Sequence, residues 1–263
     1  MGCRVFRTTV LTVVMLATSA FSAGAESAPP IASPTAVPLA IAPRADKLLT
    51  DACHALASEK AFTFHAEILF DEVLPKNVKV LFAGAMDFAL QRPNELEVEY
   101  KSDLGSKMVW YQNDTLTILD PSHGVYSTIS VPASIDGMFE QVEKVHDLTI
   151  PLSDLAFSDP CQNFRKEIIF GAYVGVGDVN GVECDHLAFS SHTQDYQLWL
   201  DRSGKPLPLR VVVNYRTEPG SPEYIATISG WKFPPEIVAT RFKAAIPKDA
   251  KRIEFLPVKE SQP

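Results

Sequence analysis

Asn180-Gly181, set between runs that alternate apolar and polar residues, constrains this chain more than any other feature. A two-residue type I′ hairpin needs positive φ at both central positions, and Asn-Gly supplies it at the least steric cost. Ser203-Gly204 is a second two-residue turn candidate, so Tyr173 to Tyr215 reads as four strands in an antiparallel meander. A turn at Ser203-Gly204 pairs Arg202 with Lys205, Leu200 with Leu207, Leu198 with Leu209 and Tyr196 with Val211. Folding the preceding arm back around Ser191 to Gln194 sets Leu187 opposite Leu198 and Phe189 opposite Tyr196. One face is then apolar, while the other collects His186, Gln197, Trp199 and Arg210. Such a sheet must cover its apolar face with helices or a ligand.

The chain begins with Arg4 and Arg7, an apolar run from Val10 to Phe21, and Ala23-Gly24-Ala25, the pattern of a cleavable secretory signal over residues 1–25. The run falls short of the roughly 20 residues a membrane span needs. The expected mature protein is therefore exported to the periplasm and does not span a membrane. Cys3 precedes the apolar run and is no lipid attachment site. Removing residues 1–25 lowers Lys+Arg from 24 to 22 against 32 Asp+Glu, so the net charge becomes −10. Such an acidic chain, without a basic patch, is not expected to hold nucleic acid.

Residues 26–43 carry five prolines among small residues and read as a disordered tether ahead of a single domain, 44–258, with a short tail at 259–263. Leu48, Leu49, Ala52, Cys53 and Leu56 recur at helical spacing, which predicts an amphipathic helix from Ala45 to near Lys60. The period then changes to two. Phe62, Phe64, Ile68 and Phe70, then Val78, Val80, Phe82, Met86, Phe88 and Leu90, predict two long strands joined at Pro75-Lys76-Asn77. Arg92-Pro93-Asn94 ends the second. Shorter strands follow at Leu96 to Tyr100, Lys107 to Tyr111, Thr115 to Leu119 and Gly124 to Ser130. Ile135, Met138, Phe139, Val142 and Val145 mark a second amphipathic helix capped by Ser134, whose stripe either covers the sheet or serves as a movable lid. A short helical piece, Pro151 to Phe157, and strands at Glu223 to Phe233, Thr240 to Ala245 and Ile253 to Leu256 complete the pattern. This predicts a mainly β chain with helices (α+β): a single curled antiparallel sheet of about ten or eleven strands, a half-barrel with helices against its concave face.

G-V-E-C-D-H-L-A-F with D-Y-Q-L-W-L-D and K-P-L-P-L-R resembles the bacterial predicted periplasmic protein family of unknown function in the lipoprotein-carrier (LolA/LolB-like) fold group. R-P-N-E-L at 92–96, the segment Tyr111 to Tyr126, P-L-S-D-L at 151–155 and I-P-K-D-A-K-R-I extend the resemblance over Asp46 to Leu256. It implies the half-barrel and the periplasm. The wider fold group suggests lipid or lipoprotein binding.

Three cysteines follow the signal, Cys53, Cys161 and Cys184, an odd number for an oxidising compartment. Cys161 and Cys184 can approach across the Tyr173 hairpin, a bridge contributing on the order of 3 kcal/mol. Cys53 then packs as a buried free thiol, although the sequence leaves the pairing open. Glu95, Glu97 and Glu99 alternate with apolar residues as on a solvated sheet face. Cys184 and His186 lack the further ligands a metal needs, and no motif calls for a cofactor.

The reading that follows is a non-catalytic carrier for a lipid, acyl chain or lipoprotein. Its expected apolar lining is Phe64, Ile68, Phe82, Met86, Leu187, Phe189, Tyr196 and Leu198, with Met138, Phe139 and Val142 from the lid. An alternative is an envelope-protein interaction module docking through His186, Gln197, Trp199 and Arg210, an aromatic ringed by polar groups. A hydrolase with dispersed catalytic residues is a second alternative, with no nucleophile motif to support it.

Overall fold

In the computed structural model, which describes residues 40–256, the alternating pattern of Phe62, Phe64, Ala66 and Ile68 becomes one face of β1 (Ala61–Leu74). β1 pairs with β2 (Val78–Gln91) along its full length, setting Phe64 opposite Phe88 and Ala66 opposite Met86. The turn between them is the expected Pro75–Asn77, where Lys76 and Asn77 take positive φ. β3 (Glu95–Ser102), β4 (Gly105–Gln112), β5 (Thr115–Asp120) and β6 (Val125–Ser130) continue as an antiparallel meander.

The second half of the sheet is built from β7 (Phe170–Val179), β8 (Val182–Ser190), β9 (Gln194–Asp201), β10 (Pro208–Tyr215) and β11 (Glu223–Lys232). β11 joins the halves by pairing with β1. With β12 (Lys251–Arg252) the described residues form one twelve-stranded sheet in the order β12-β6-β5-β4-β3-β2-β1-β11-β10-β9-β8-β7, curled and unclosed. All pairings are antiparallel except that of β12 with β6.

Two helices cover the inner face, each over its own half. α1 (Pro43–Ala57) lays Ala45, Leu49, Ala52 and Leu56 inward, the first three over Leu187, Phe189 and Leu200. α2 (Ile135–His146) begins at Ser134, whose hydroxyl accepts from the Gly137 amide at 3.2 Å, and ends at Asp147 in the left-handed region. Its Ile135, Met138, Phe139 and Val142 pack onto Phe62, Phe64, Phe88, Leu96 and Val109. Fully burying each such side chain stabilises the fold by roughly 1.5–3 kcal/mol, so this layer is the principal core.

Several expectations are corrected. The sheet has twelve strands rather than ten or eleven. Thr240 to Ala245 is not a strand: Ala239–Phe242 forms a 3-10 turn whose Phe242 packs with Ile237 against Ala61 and Ala89. That segment also brings Arg241 to Glu97, while Glu95 accepts from Gln91 and Gln112, so the glutamate face of β3 is half-buried rather than wet. The closing strand is Lys251–Arg252, not Ile253 to Leu256. A further helix, α3 (Gln162–Glu167), precedes β7.

The turn after β9 is wider than two residues. Asp201 accepts from the Ser203 amide and hydroxyl, each at 2.7 Å, and the ladder with β10 sets Leu198 opposite Val211 and Tyr196 opposite Val213, with an irregularity between Pro208 and Arg210. Pro206 and Pro208 cannot donate to a ladder, which displaces the register by two while preserving the faces. The pairings of Leu187 with Leu198 and Phe189 with Tyr196 are as expected.

Cys53 is bonded to Cys161, and Cys184 is a buried free thiol, which overturns the expected Cys161–Cys184 bridge. Residues alternate sides along β8. Leu187 and Phe189 face the cluster that holds Cys161, so Cys184, with the parity of His186, belongs to the opposite face. Cys53 stands on α1 directly over Cys161, with Cα atoms 5.7 Å apart. The expected signal, most of the expected tether and the tail lie outside the described residues. Residues 40–42, expected within the tether, instead run beside β7: the Ala42 amide donates to Gly171 O at 2.8 Å, and Ile41 forms a parallel bridge with Gly171. A Cβ at Gly171 would stand 2.8 Å from the Ile41 side chain, so glycine permits this approach.

Candidate functional site

Between the sheet, α1 and the segment 149–164 lies a cavity of about 360 Å3. Leu198 and Leu200 of β9, Val211 and Val213 of β10, and Tyr224 of β11 form its floor; Leu49, Ala52, Cys53 and Leu56 form the α1 wall. Ile150, Leu152, Leu155, Pro160, Cys161 and Phe164 roof it. Among the described residues Asp154 is the sole charged one of the lining. The size falls in the range of roughly 300–1,000 Å3 found for small-molecule sites.

The roof is irregular. Asp147 and Leu152 take the left-handed conformation, and Ser153–Ala156 closes a single 3-10 turn. Three ties hold it. The Arg92 guanidinium donates to the carbonyls of Ala156 and Phe157 at 2.8 and 2.9 Å. Asp136 of α2 accepts from the Ser158 amide at 2.9 Å. The Cys53–Cys161 disulfide fastens the roof's far end to α1, where Arg165 of α3 also reaches Asp46.

Polar groups at the cavity are few. Tyr224 has a buried hydroxyl with no hydrogen-bond partner among the described residues, and burial pushes its phenol well above the ordinary value. Burial, with Glu167, Asp154 and Tyr215 nearby, pushes Tyr196 up to about 12, and burial raises Tyr215 also. These phenols are neutral hydrogen-bond donors at physiological pH. Asp154 stands at an opening with its surface exposed. The surrounding protein mass and the Glu143 and Glu167 carboxylates raise its carboxyl pKa.

Of the eleven residues expected to line a cavity, Tyr196 and Leu198 do so. Leu187 and Phe189 are packed beside it under α1, where Phe164 meets Phe189 edge-on with centroids 5.3 Å apart. Phe64, Ile68, Met86, Met138 and Val142 belong to the filled core, Phe139 belongs to it and also borders a small gap beside Asp154, and Phe82 stacks on Phe70 toward the end of the long hairpin. α2 therefore closes a solid core, while the cover over the void is the roof segment. Asp154, Val211, Tyr215 and Tyr224 were missed. Their strands and turn were legible, but no local pattern says which apolar face meets a gap.

On the other sheet face the structure brings together His186, Gln197, Trp199 and Arg210. The His186 and Trp199 rings stack with centroids 4.0 Å apart, Arg210 lies 5.7 Å from the Trp199 centroid, and His186 Nε2 is 3.0 Å from Gln197 Oε1. Gly177 lies beneath, where a Cβ would stand 3.0 Å from Trp199 Nε1. Among the described residues no three His, Cys, Asp or Glu side chains are grouped to hold a metal ion, and no helix is long and apolar enough to cross a membrane.

No curated protein matches the chain in sequence. Among solved structures it is similar to the lipoprotein LppX of Mycobacterium tuberculosis, with 11% identity, 74% of this chain and 99% of that chain covered, and a TM-score of 0.48. LprF of Mycobacterium bovis gives 12% identity, 80% and 99% coverage and a TM-score of 0.45. A LolA superfamily protein of Nitrosomonas europaea gives 11%, 76% and 97%, and 0.39. Likeness at this level carries no information on ligand. The family model described as "Predicted periplasmic protein (DUF2092)" matches residues 45–256, most of the chain and nearly all of the described fold, and the chain belongs to that family of predicted periplasmic proteins.

Proposed function

We propose that this protein is a non-catalytic binding or carrier protein of the periplasm that shelters an acyl chain or similar apolar group in the cavity beneath α1 and the 149–164 roof. The observation that carries this reading is a void of about 360 Å3 whose lining is apolar apart from tyrosines, a few small polar groups and one carboxylate. A filled core leaves few voids larger than a water molecule, so an apolar space of this size is either empty at a cost in stability or occupied. An apolar ligand would gain roughly 25 cal/mol for each Å2 it buries there. The test is native mass spectrometry of protein purified without detergent. A reproducible bound lipid supports the carrier role. Protein that is empty as isolated, and stays empty after incubation with envelope lipids, refutes it.

A second reading, a protein-docking role for the opposite face, draws support from the half-buried His186–Trp199–Arg210 stack with Gln197 at its edge. Trp199→Ala would then abolish capture of an envelope partner while leaving the cavity loaded. Unchanged capture by that variant eliminates this reading.

A further inference from the structure

The openings of the cavity have a charge that its lipid-binding reading does not require. On the roof side, a gap of about 250 Å3 shares Asp154 with the cavity and is flanked by Glu143 and Glu167. On the hairpin side, Tyr215 and Tyr224 form the boundary between the cavity and an open groove of about 840 Å3. That groove carries Asp71, Glu72, Glu218 and Glu223. Lys76 is its one basic residue among those described, and Lys79 reaches in to pair with Asp71 at 3.0 Å. Both approaches are therefore acidic, and among the described residues none that lines the interior is a cation.

An ionised carboxylate or phosphate leaving water needs a cation or several converging donors. Here it would find an excess of carboxylates at either opening, and a cleft of net negative charge with low-dielectric walls concentrates the repulsion. An uncharged ester or amide meets no such barrier. Its carbonyl needs only one donor, and Tyr224, which borders both the cavity and the groove, has a buried hydroxyl without a partner among the described residues that an entering head group would have to uncover. We propose, resting on the cavity reading above, that this site takes acyl chains in uncharged ester or amide linkage, with Tyr224 donating to the carbonyl and the acidic openings excluding free fatty-acid anions.

The experiment loads the full chain with a neutral fluorescent reporter and displaces it, at neutral pH and below aggregation concentrations, with monoolein, oleate or 1-octadecene. Monoolein is expected to displace the reporter at a concentration about tenfold or more below that of oleate. Tyr224→Phe, which deletes a hydroxyl with nothing to lose in the folded protein, is expected to leave stability unchanged or raised and to bring monoolein down toward octadecene. Asp154→Asn is expected to narrow the gap between oleate and monoolein. Oleate binding as tightly as monoolein, or both variants keeping the wild-type ratios, overturns this proposal and leaves the cavity reading standing. If none of the three displaces the reporter and none is retained in native mass spectrometry, the cavity reading falls and this proposal with it.

Discussion

The Arg92 guanidinium donates to the carbonyl oxygen of Ala156 at 2.8 Å, tying the loop after β2 to the roof of the cavity. Its other nitrogens reach Phe157 O at 2.9 Å and Glu59 O at 3.2 Å, so one planar fork fixes three chain segments. Arg92→Met is expected to lose about 2–4 kcal/mol of stability, since hydrogen bonds to charged groups are worth about 1.5–3 kcal/mol each and are not additive. Arg92→Lys is expected to recover little, because an ammonium lacks the fork geometry. Denaturant unfolding with hydrogen exchange over 153–158 checks both: protection there that is unchanged in Arg92→Met would show that the roof does not depend on this residue.

Peptide mapping without reduction is expected to recover Cys53 linked to Cys161 and to find Cys184 as a thiol. The bridge spans 108 residues of sequence, and closing a loop near that length constrains the unfolded chain by about 4–5 kcal/mol. Cys53→Ser and Cys161→Ser should each lose most of that, and the double variant no more than either alone. A recovered Cys161–Cys184 peptide would contradict the topology of β8 described above.

Core and cavity respond to opposite substitutions. Met138→Ala opens a hole beneath α2 and is expected to lose about 2–5 kcal/mol while sparing ligand retention. Val211→Phe adds volume on the cavity floor, with little loss of stability because the space is there, and is expected to empty the site. Native mass spectrometry beside thermal unfolding separates them. Loss of ligand from Met138→Ala but not from Val211→Phe would move the binding site to the α2 half.

Asp120 supplies a pH signature far from the cavity. Burial would raise its carboxyl pKa, but hydrogen bonds from Lys107, from the His123 ring at 2.8 Å and from the His123 amide at 3.1 Å hold it at about 2. A carboxyl held below its unfolded value of about 3.9 stabilises the fold above that pH, and the contribution is lost as pH falls toward 2. Asp120→Asn is therefore expected to destabilise by on the order of 1 kcal/mol at pH 7 and by much less at pH 2, where about half of the folded-state carboxyl is protonated. Equal losses at both pH values would locate the effect in the turn geometry instead.

What the sequence determined by itself is whatever is written at short range. Period-two alternation identified β1 and β2, helical spacing identified α1 and α2, Ser134 marked a cap, Asn180-Gly181 marked the β7–β8 turn, and folding back around Ser191 to Gln194 set the β8–β9 register. It failed by two residues at β10, where prolines widened the turn, and it failed at Thr240 to Ala245, where packing of Phe242 against Ala61 and Ala89 outweighed local strand propensity. Only the tertiary structure decided that Cys53 meets Cys161, because α1 and α3 come together over a long sequence separation. It alone decided that Leu198, Val211 and Tyr224 border a void while Phe64, Met86 and Met138 fill a core. Apart from Met138, which α2 contributes, all are apolar or aromatic residues on the inner face of one sheet. Which of them meets empty space depends on how the two helices and the roof are spaced above it, and spacing between distant segments leaves no periodicity in the chain.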